Sequence, residues 1–221
     1  MKRLLIVFLL VFGVANSFAD SIEERVLVAG NIMKKLIISK NGIPMEIIKE
    51  AQAIVVMPDS VKFGFFIGGK YGEGLATVRK QDGSWSYPFF IKLSGGSLGL
   101  QIGLEKTNSI LVFRTKDSVG ELLSGKLKVG ANASASVGYI SANSDKIDET
   151  NMSAEIFAYS QSSGLFAGAV LDGVIISNDD KKNKTLYGKS IDVKDIIIAE
   201  NLSDTYSVQE FFRIVNYLTK K

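Results

Sequence analysis

Between residues 60 and 176 the chain alternates short strand-like runs with glycines, and this stretch decides what it can fold into. Phe63 to Ile67, Gly74 to Arg79, Phe89 to Leu93, Ser109 to Phe113, Ala131 to Tyr139, Ala154 to Ser160 and Leu171 to Ser177 read as strands. They are short and separated by turn residues, which predicts an antiparallel meander closed into a sandwich or a partly open barrel. Asp117 to Gly125 is the one helical run among them, with a polar start and a terminal glycine. Residues 141–152 and 178–184 are polar enough to read as surface loops.

Helices flank this region. Ile22, Val26, Ala29, Met33 and Leu36 recur at steps of four and three, an amphipathic stripe that ends at Asn41-Gly42. A short second helix follows Pro44 through Met45, Ile47, Ile48 and Ala51, and the apolar run Ala53 to Met57 reads as a buried strand stopped by Pro58. A C-terminal helix starts near Ser207, with Ser207 and Glu210 spaced as a capping box and Phe211, Phe212, Ile214, Val215 and Leu218 as its buried face. The expectation is a single α+β domain over residues 20–221, mainly antiparallel sheet.

Several motifs suggest chemistry that their context denies. GFFIGGKYGEG, residues 64–74, has the G-x-x-x-x-G-K spacing of a P-loop, but Tyr71 stands where a magnesium-binding Ser or Thr is needed and a strand follows instead of a helix. No nucleotide is expected. GGSLG, residues 95–99, matches a nucleophile elbow around Ser97, yet the sequence holds no histidine to act as its base and no S-x-x-K. Asn178, Asp179 and Asp180 lack the alternate spacing of a calcium loop and read as a solvated hairpin tip, and the pair Asp148 and Glu149 sits in similar polar surroundings. With neither His nor Cys, thiol catalysis, the usual zinc sites and Ser-His-Asp triads are excluded, so no cofactor and no enzymatic activity are expected.

Lys2 and Arg3, the apolar run Leu4 to Val14 and the small residues Ser17 and Ala19 form the layout of a secretory leader, cleaved after Ala19. The expected location is therefore periplasmic or membrane-associated. Removing the leader takes two basic residues and no acidic ones, so the net charge of +3 falls to +1, too small a field for nucleic acid. Without cysteines the exported chain relies on burial of apolar surface. The first mature helix has two readings. Its stripe, with Ile22, Val26 and Met33, could enter an anionic bilayer beside Lys34, Lys35 and Lys40, or it could dock on the sheet as core while Glu23 and Glu24 repel such a surface.

The ordered blocks GFFIGGKYGEGLATVR, SWSYPFFIKLSGGSLGLQIG, VGELLSGKLKVGANASASVG and AYSQSSGLFAGAVLDGVIIS, followed by Leu186-Tyr187-Gly188, give the chain a resemblance to a known family over about residues 25–215. It resembles the SYLF domain, the module of yeast and animal actin-patch and lipid-binding proteins, which also has secreted bacterial members. The resemblance implies binding to phospholipid membranes, partly through a basic N-terminal helix in which Lys34 and Lys35 match basic positions. It implies no catalytic residues. A protein partner, as in an envelope scaffold that binds no lipid, is the alternative it leaves open.

Overall fold

The structure, a computed structural model, describes residues 21–39, 43–129, 135–137, 155–160, 173–203 and 205–220. The leader, Lys40, Asn41-Gly42, Asp148 and Glu149, and parts of the strands expected at 131–139, 154–160 and 171–177 lie outside them.

Two strands dominate. β1 runs from Ala53 to Val78 and β2 from Phe89 to Phe113, paired antiparallel from Ala53↔Phe113 to Ala76↔Phe89. The separate short strands expected at 53–57, 63–67 and 74–79 are thus one element, and those at 89–93 and 109–113 are another. Pro58 does not end β1. It falls in a bulge between Met57↔Ser109 and Ser60↔Thr107, where its missing N–H is no loss. The neighbouring Asp59 takes φ 44°, and its N–H donates to the Asn108 side chain at 3.0 Å.

The other edge of β2 is shared. Its first half pairs with β6 (Val174–Asn178), which carries β3 (Leu127–Lys128). Its second half pairs with β5 (Ile156–Ser160), which carries β4 (Ala135–Val137). The β4–β5 pair is parallel, an exception to the antiparallel expectation. These six strands form one sheet curled into a half-barrel, so the sandwich alternative falls. The curl brings the two ends of β1 together. Gln52 donates its N–H to Phe113 O at 2.7 Å, and its own carbonyl accepts from Arg79 N at 2.7 Å. Gly74 sits where the layers meet, and a Cβ there would lie 2.3 Å from the Val56 carbonyl oxygen.

Helices close the open side. α1 (Ile22–Ile38) is capped by Ser21, whose hydroxyl accepts from Glu24 N. α2 (Met45–Glu50) follows Pro44 as expected, and α3 (Lys116–Leu123) is capped by Thr115. The segment read as a polar loop at 178–184 is largely α4 (Asp180–Tyr187), capped by a buried Asp179 that accepts from Lys182 N. α5 (Val193–Ile198) precedes α6 (Tyr206–Thr219), whose Phe211, Ile214, Val215 and Leu218 are buried. The capping box expected at Ser207 and Glu210 does not form. Ser207 lies inside the helix and donates to the Glu23 carboxylate, while Glu210 turns outward to Arg213.

The turn between β1 and β2 fastens α6. The Trp85 indole N–H donates to Thr219 Oγ1 at 2.9 Å, Arg79 lies over the Trp85 ring, and Tyr87 meets Phe212 edge to face at 4.9 Å. Tyr187 of α4 donates to the Pro88 carbonyl. The Trp85-Ser86-Tyr87-Pro88 block is therefore a clasp between sheet and helices.

Candidate functional site

α1 and α6 lie side by side and run parallel. Glu23 meets Ser207 at their starts, Gly30 approaches Phe211 and Ile214 midway, and Lys34 and Ile38 share a groove with Arg213 and Tyr217 at their ends. The contact is close because Gly30 has no side chain: a Cβ there would stand 3.0 Å from Ile214 Cδ1. Val26, Ala29, Met33 and Leu36 are buried in this contact and against β1, and Ile22 packs partly buried beside them. In this fold Val26 and Met33 are core and Ile22 lies at its edge, so no bilayer reaches Val26 or Met33 without α1 leaving its place.

α1 shows Glu23, Glu24, Val28 and Asn31 to solvent along its length, and its lysines at its last turns. Lys34, Lys35 and Ser39 are exposed, with Ile38 at 53%. Across the groove, Tyr217 of α6 is 48% exposed. The groove itself is a cavity of about 130 Å³ lined by Lys34, Ile38, Arg213, Ile214 and Tyr217. Both helices end here, so their carbonyl-rich termini favour the cations. Arg213 is already engaged with Glu210 through two bonds of 2.7 and 2.6 Å, which hold the Glu210 carboxyl below its usual range. Lys34 and Lys35 form no ion pair among the described residues. Two unpaired lysines, an aliphatic and a tyrosine thus face outward together. Lys40, the third expected lysine, lies outside the described residues.

A second constellation lies at the other end of α1. Glu73 of β1 binds Arg25 of α1 at 2.5 Å through one carboxylate oxygen, and through the other it accepts from Tyr71 at 2.7 Å and from Lys182 of α4. Lys182 also reaches Asp179 at 3.6 Å, and Lys92 approaches Asp179 at 3.9 Å. Burial alone would raise the Glu73 carboxyl, but the bonds from Lys182 and Tyr71 and the charges of Lys182 and Arg25 outweigh it and hold it below its usual value. The bond to Glu73, with burial, pushes the Tyr71 phenol up to about 12. A cavity of about 220 Å³ opens beside this hub. Sequence reasoning missed it because its residues come from α1, β1 and α4, with no local motif to link them.

The motifs set aside from the sequence are sheet. Residues 64–74 lie wholly in β1, with Gly64↔Gly103 and Gly68↔Ser97 as register partners, so no helix N-terminus follows Lys70. Ser97 sits within β2, away from any strand-to-helix elbow. Asp179 is a buried helix cap, which corrects the hairpin-tip reading. Among the described residues no three His, Cys, Asp or Glu gather to hold a metal, and no helix is long and apolar enough to cross a membrane.

Comparison with known proteins bears on residues 94–218, which match the family model described as "Las17-binding protein actin regulator". The chain is 27% identical over 212 residues to "LAS seventeen-binding protein 3" of Saccharomyces cerevisiae, covering 92% of this chain and 46% of that protein. It is 26% identical over 213 residues to "SH3 domain-containing YSC84-like protein 1" of Homo sapiens, covering 93% of this chain and 62% of the relative. The chain therefore spans about half to three fifths of the length of these relatives, of which the yeast one is named as a binding protein.

Proposed function

Because the chain belongs to the Las17-binding actin-regulator family, whose module is the SYLF domain, we propose that it is a non-enzymatic protein that rests the joined ends of α1 and α6 on a phospholipid surface. One observation carries this reading: Lys34 and Ile38 are exposed at one end of a helix pair between Tyr217 on one side and Lys35 on the other. Each lysine near an anionic surface contributes about 1 kcal/mol. Tyr217 suits the headgroup level with its ring in the apolar layer and its hydroxyl in water, and the lysine stems can lie flat while their ammonium groups stay wet. The buried stripe of α1 stays in the core, so the contact is superficial and reversible. The protein works outside the cytoplasm in this reading, after loss of residues 1–19.

Flotation with vesicles tests the surface. The processed chain is expected to float with anionic vesicles and far less with neutral ones. Lys34→Glu/Lys35→Glu removes two attractive charges, about 2 kcal/mol, and is expected to weaken binding by roughly thirtyfold or more. Ile38→Ser/Tyr217→Ser should weaken it on both vesicle types. No flotation on either lipid, or flotation indifferent to both variants, would end the proposal. N-terminal sequencing of the processed protein in a fractionated cell tests export separately.

A protein-interaction role is the second reading, favoured by the yeast relative's name as a binding protein and by Ile198 and Tyr206, which stand 72% and 74% exposed on either side of the α5–α6 connection. It predicts that Ile198→Ser/Tyr206→Ser abolishes recovery of a protein partner without changing flotation.

A further inference from the structure

The 220 Å³ cavity beside Glu73 carries chemistry of its own. Its apolar lining comes from Val28 and Val61, with the almost fully buried Leu75 and Phe90 behind them, and its polar lining from Arg25, Asp59, Tyr71 and Glu73. Glu73 is already matched by Arg25 and Lys182, whereas Asp59 forms no ion pair among the described residues, and Arg25 pairs there only with Glu73. Each therefore keeps bonding capacity. Arg25 uses one terminal nitrogen on Glu73, leaving other N–H groups of the fork. The Asp59 backbone is held at the bulge in a left-handed conformation, φ 44°, by the bond from its N–H to Asn108, and its side chain is exposed. A non-glycine residue fixed in that conformation at a cavity mouth is the kind of strain that accompanies ligand sites.

We infer that the cavity binds a small zwitterion, its primary ammonium on Asp59, its oxyanion on Arg25 and its carbon skeleton against Val28 and Val61. Glu73 is not a ligand group, because Arg25, Tyr71 and Lys182 already occupy both of its oxygens. It orients the guanidinium instead. A simple anion on Arg25 would face the Asp59 carboxylate, and a simple cation on Asp59 would face the guanidinium, so a molecule carrying both charges fits where either half alone is opposed. A carboxylate or a phosphate serves equally as the oxyanion, since both match the guanidinium fork. The cavity lies below the roughly 300–1,000 Å³ of sites for larger ligands, so the guest has the size of a free amino acid or of an aminoalkyl phosphate headgroup.

Calorimetric titration of the processed chain with L-leucine and with O-phosphoethanolamine tests this, with ethanolamine and inorganic phosphate as half-ligands. Saturable binding of at least one zwitterion is expected, with each half-ligand at least tenfold weaker. Asp59→Asn, at an exposed position where the backbone bond to Asn108 persists, should weaken the zwitterion at least tenfold, and Arg25→Gln should do the same. Preference for leucine identifies a free amino acid as the source. Preference for phosphoethanolamine, repeated with phosphatidylethanolamine vesicles over phosphatidylcholine vesicles, identifies a lipid headgroup. The inference is overturned if neither zwitterion saturates, if a half-ligand binds as well as the whole, or if Asp59→Asn binds like the parent while circular dichroism shows it folded. Since the ligands are soluble, the outcome is independent of whether the α1–α6 face floats with vesicles.

Discussion

At Gly74 a single hydrogen decides whether the curl of β1 can close. A methyl group there would press within 2.3 Å of the Val56 carbonyl, a backbone atom that cannot swing aside. Gly74→Ala is therefore expected to destabilise the fold by about 3 kcal/mol, whereas Gly96→Ala, which meets nothing within 4 Å, should be nearly neutral. Denaturant midpoints of the two variants make the comparison. At Asp59 the sign reverses. Asp59→Gly relieves the left-handed backbone and should raise stability by up to about 1 kcal/mol, at the cost of the zwitterion affinity. Glu73 gives the fold an acid limit. Its carboxyl is held below its ordinary value of 4.5, so its contribution is complete above that value and disappears as pH falls through the lower folded value. Glu73→Gln should flatten the acid side of the stability–pH profile. The phenol of Tyr71, raised to about 12, acts in the opposite sense, contributing below 10 and losing its contribution as pH rises through 12, which Tyr71→Phe should remove.

The elements differ in how openly the sequence declares them. α1 and α6 were legible because apolar residues at steps of three and four need no knowledge of the partner, and Ala29, Met33, Phe211 and Ile214 are buried as that spacing predicts. β1 and β2 were not legible as whole strands. Pro58 and the glycines at 68, 69 and 72 read as stops, but register shifts at Met57/Ser60 and Gly64/Phe66 let the ladder to β2 carry one strand through the whole stretch. α4 escaped notice because its buried side consists of little more than Asn183 and Leu186, too few for a periodic signal. The candidate surface was half visible. Lys34 and Lys35 could be picked out, but Ile38 joins Tyr217 only through the parallel packing of two helices distant in sequence. That packing can be probed at its centre: Met33→Ala, fully buried, should cost about 3 kcal/mol in unfolding free energy, more than any exposed change on the same helix.

Seen whole, the molecule is a ribbon of two long strands bent until Gln52 bridges Phe113 and Arg79, with the first helix laid against β1 and the sixth packed on the first. The parallel pairing of α1 and α6 also governs the order of events during synthesis. α1 leaves the ribosome well before α6, with nearly the entire sheet still to come, so Val26, Ala29 and Met33 wait without their cover. A nascent chain in that condition keeps an apolar stripe exposed, the kind of surface that chaperones bind. A chain truncated before residue 206 should remain in that state permanently, binding a hydrophobic dye and succumbing to protease, while the intact chain resists both.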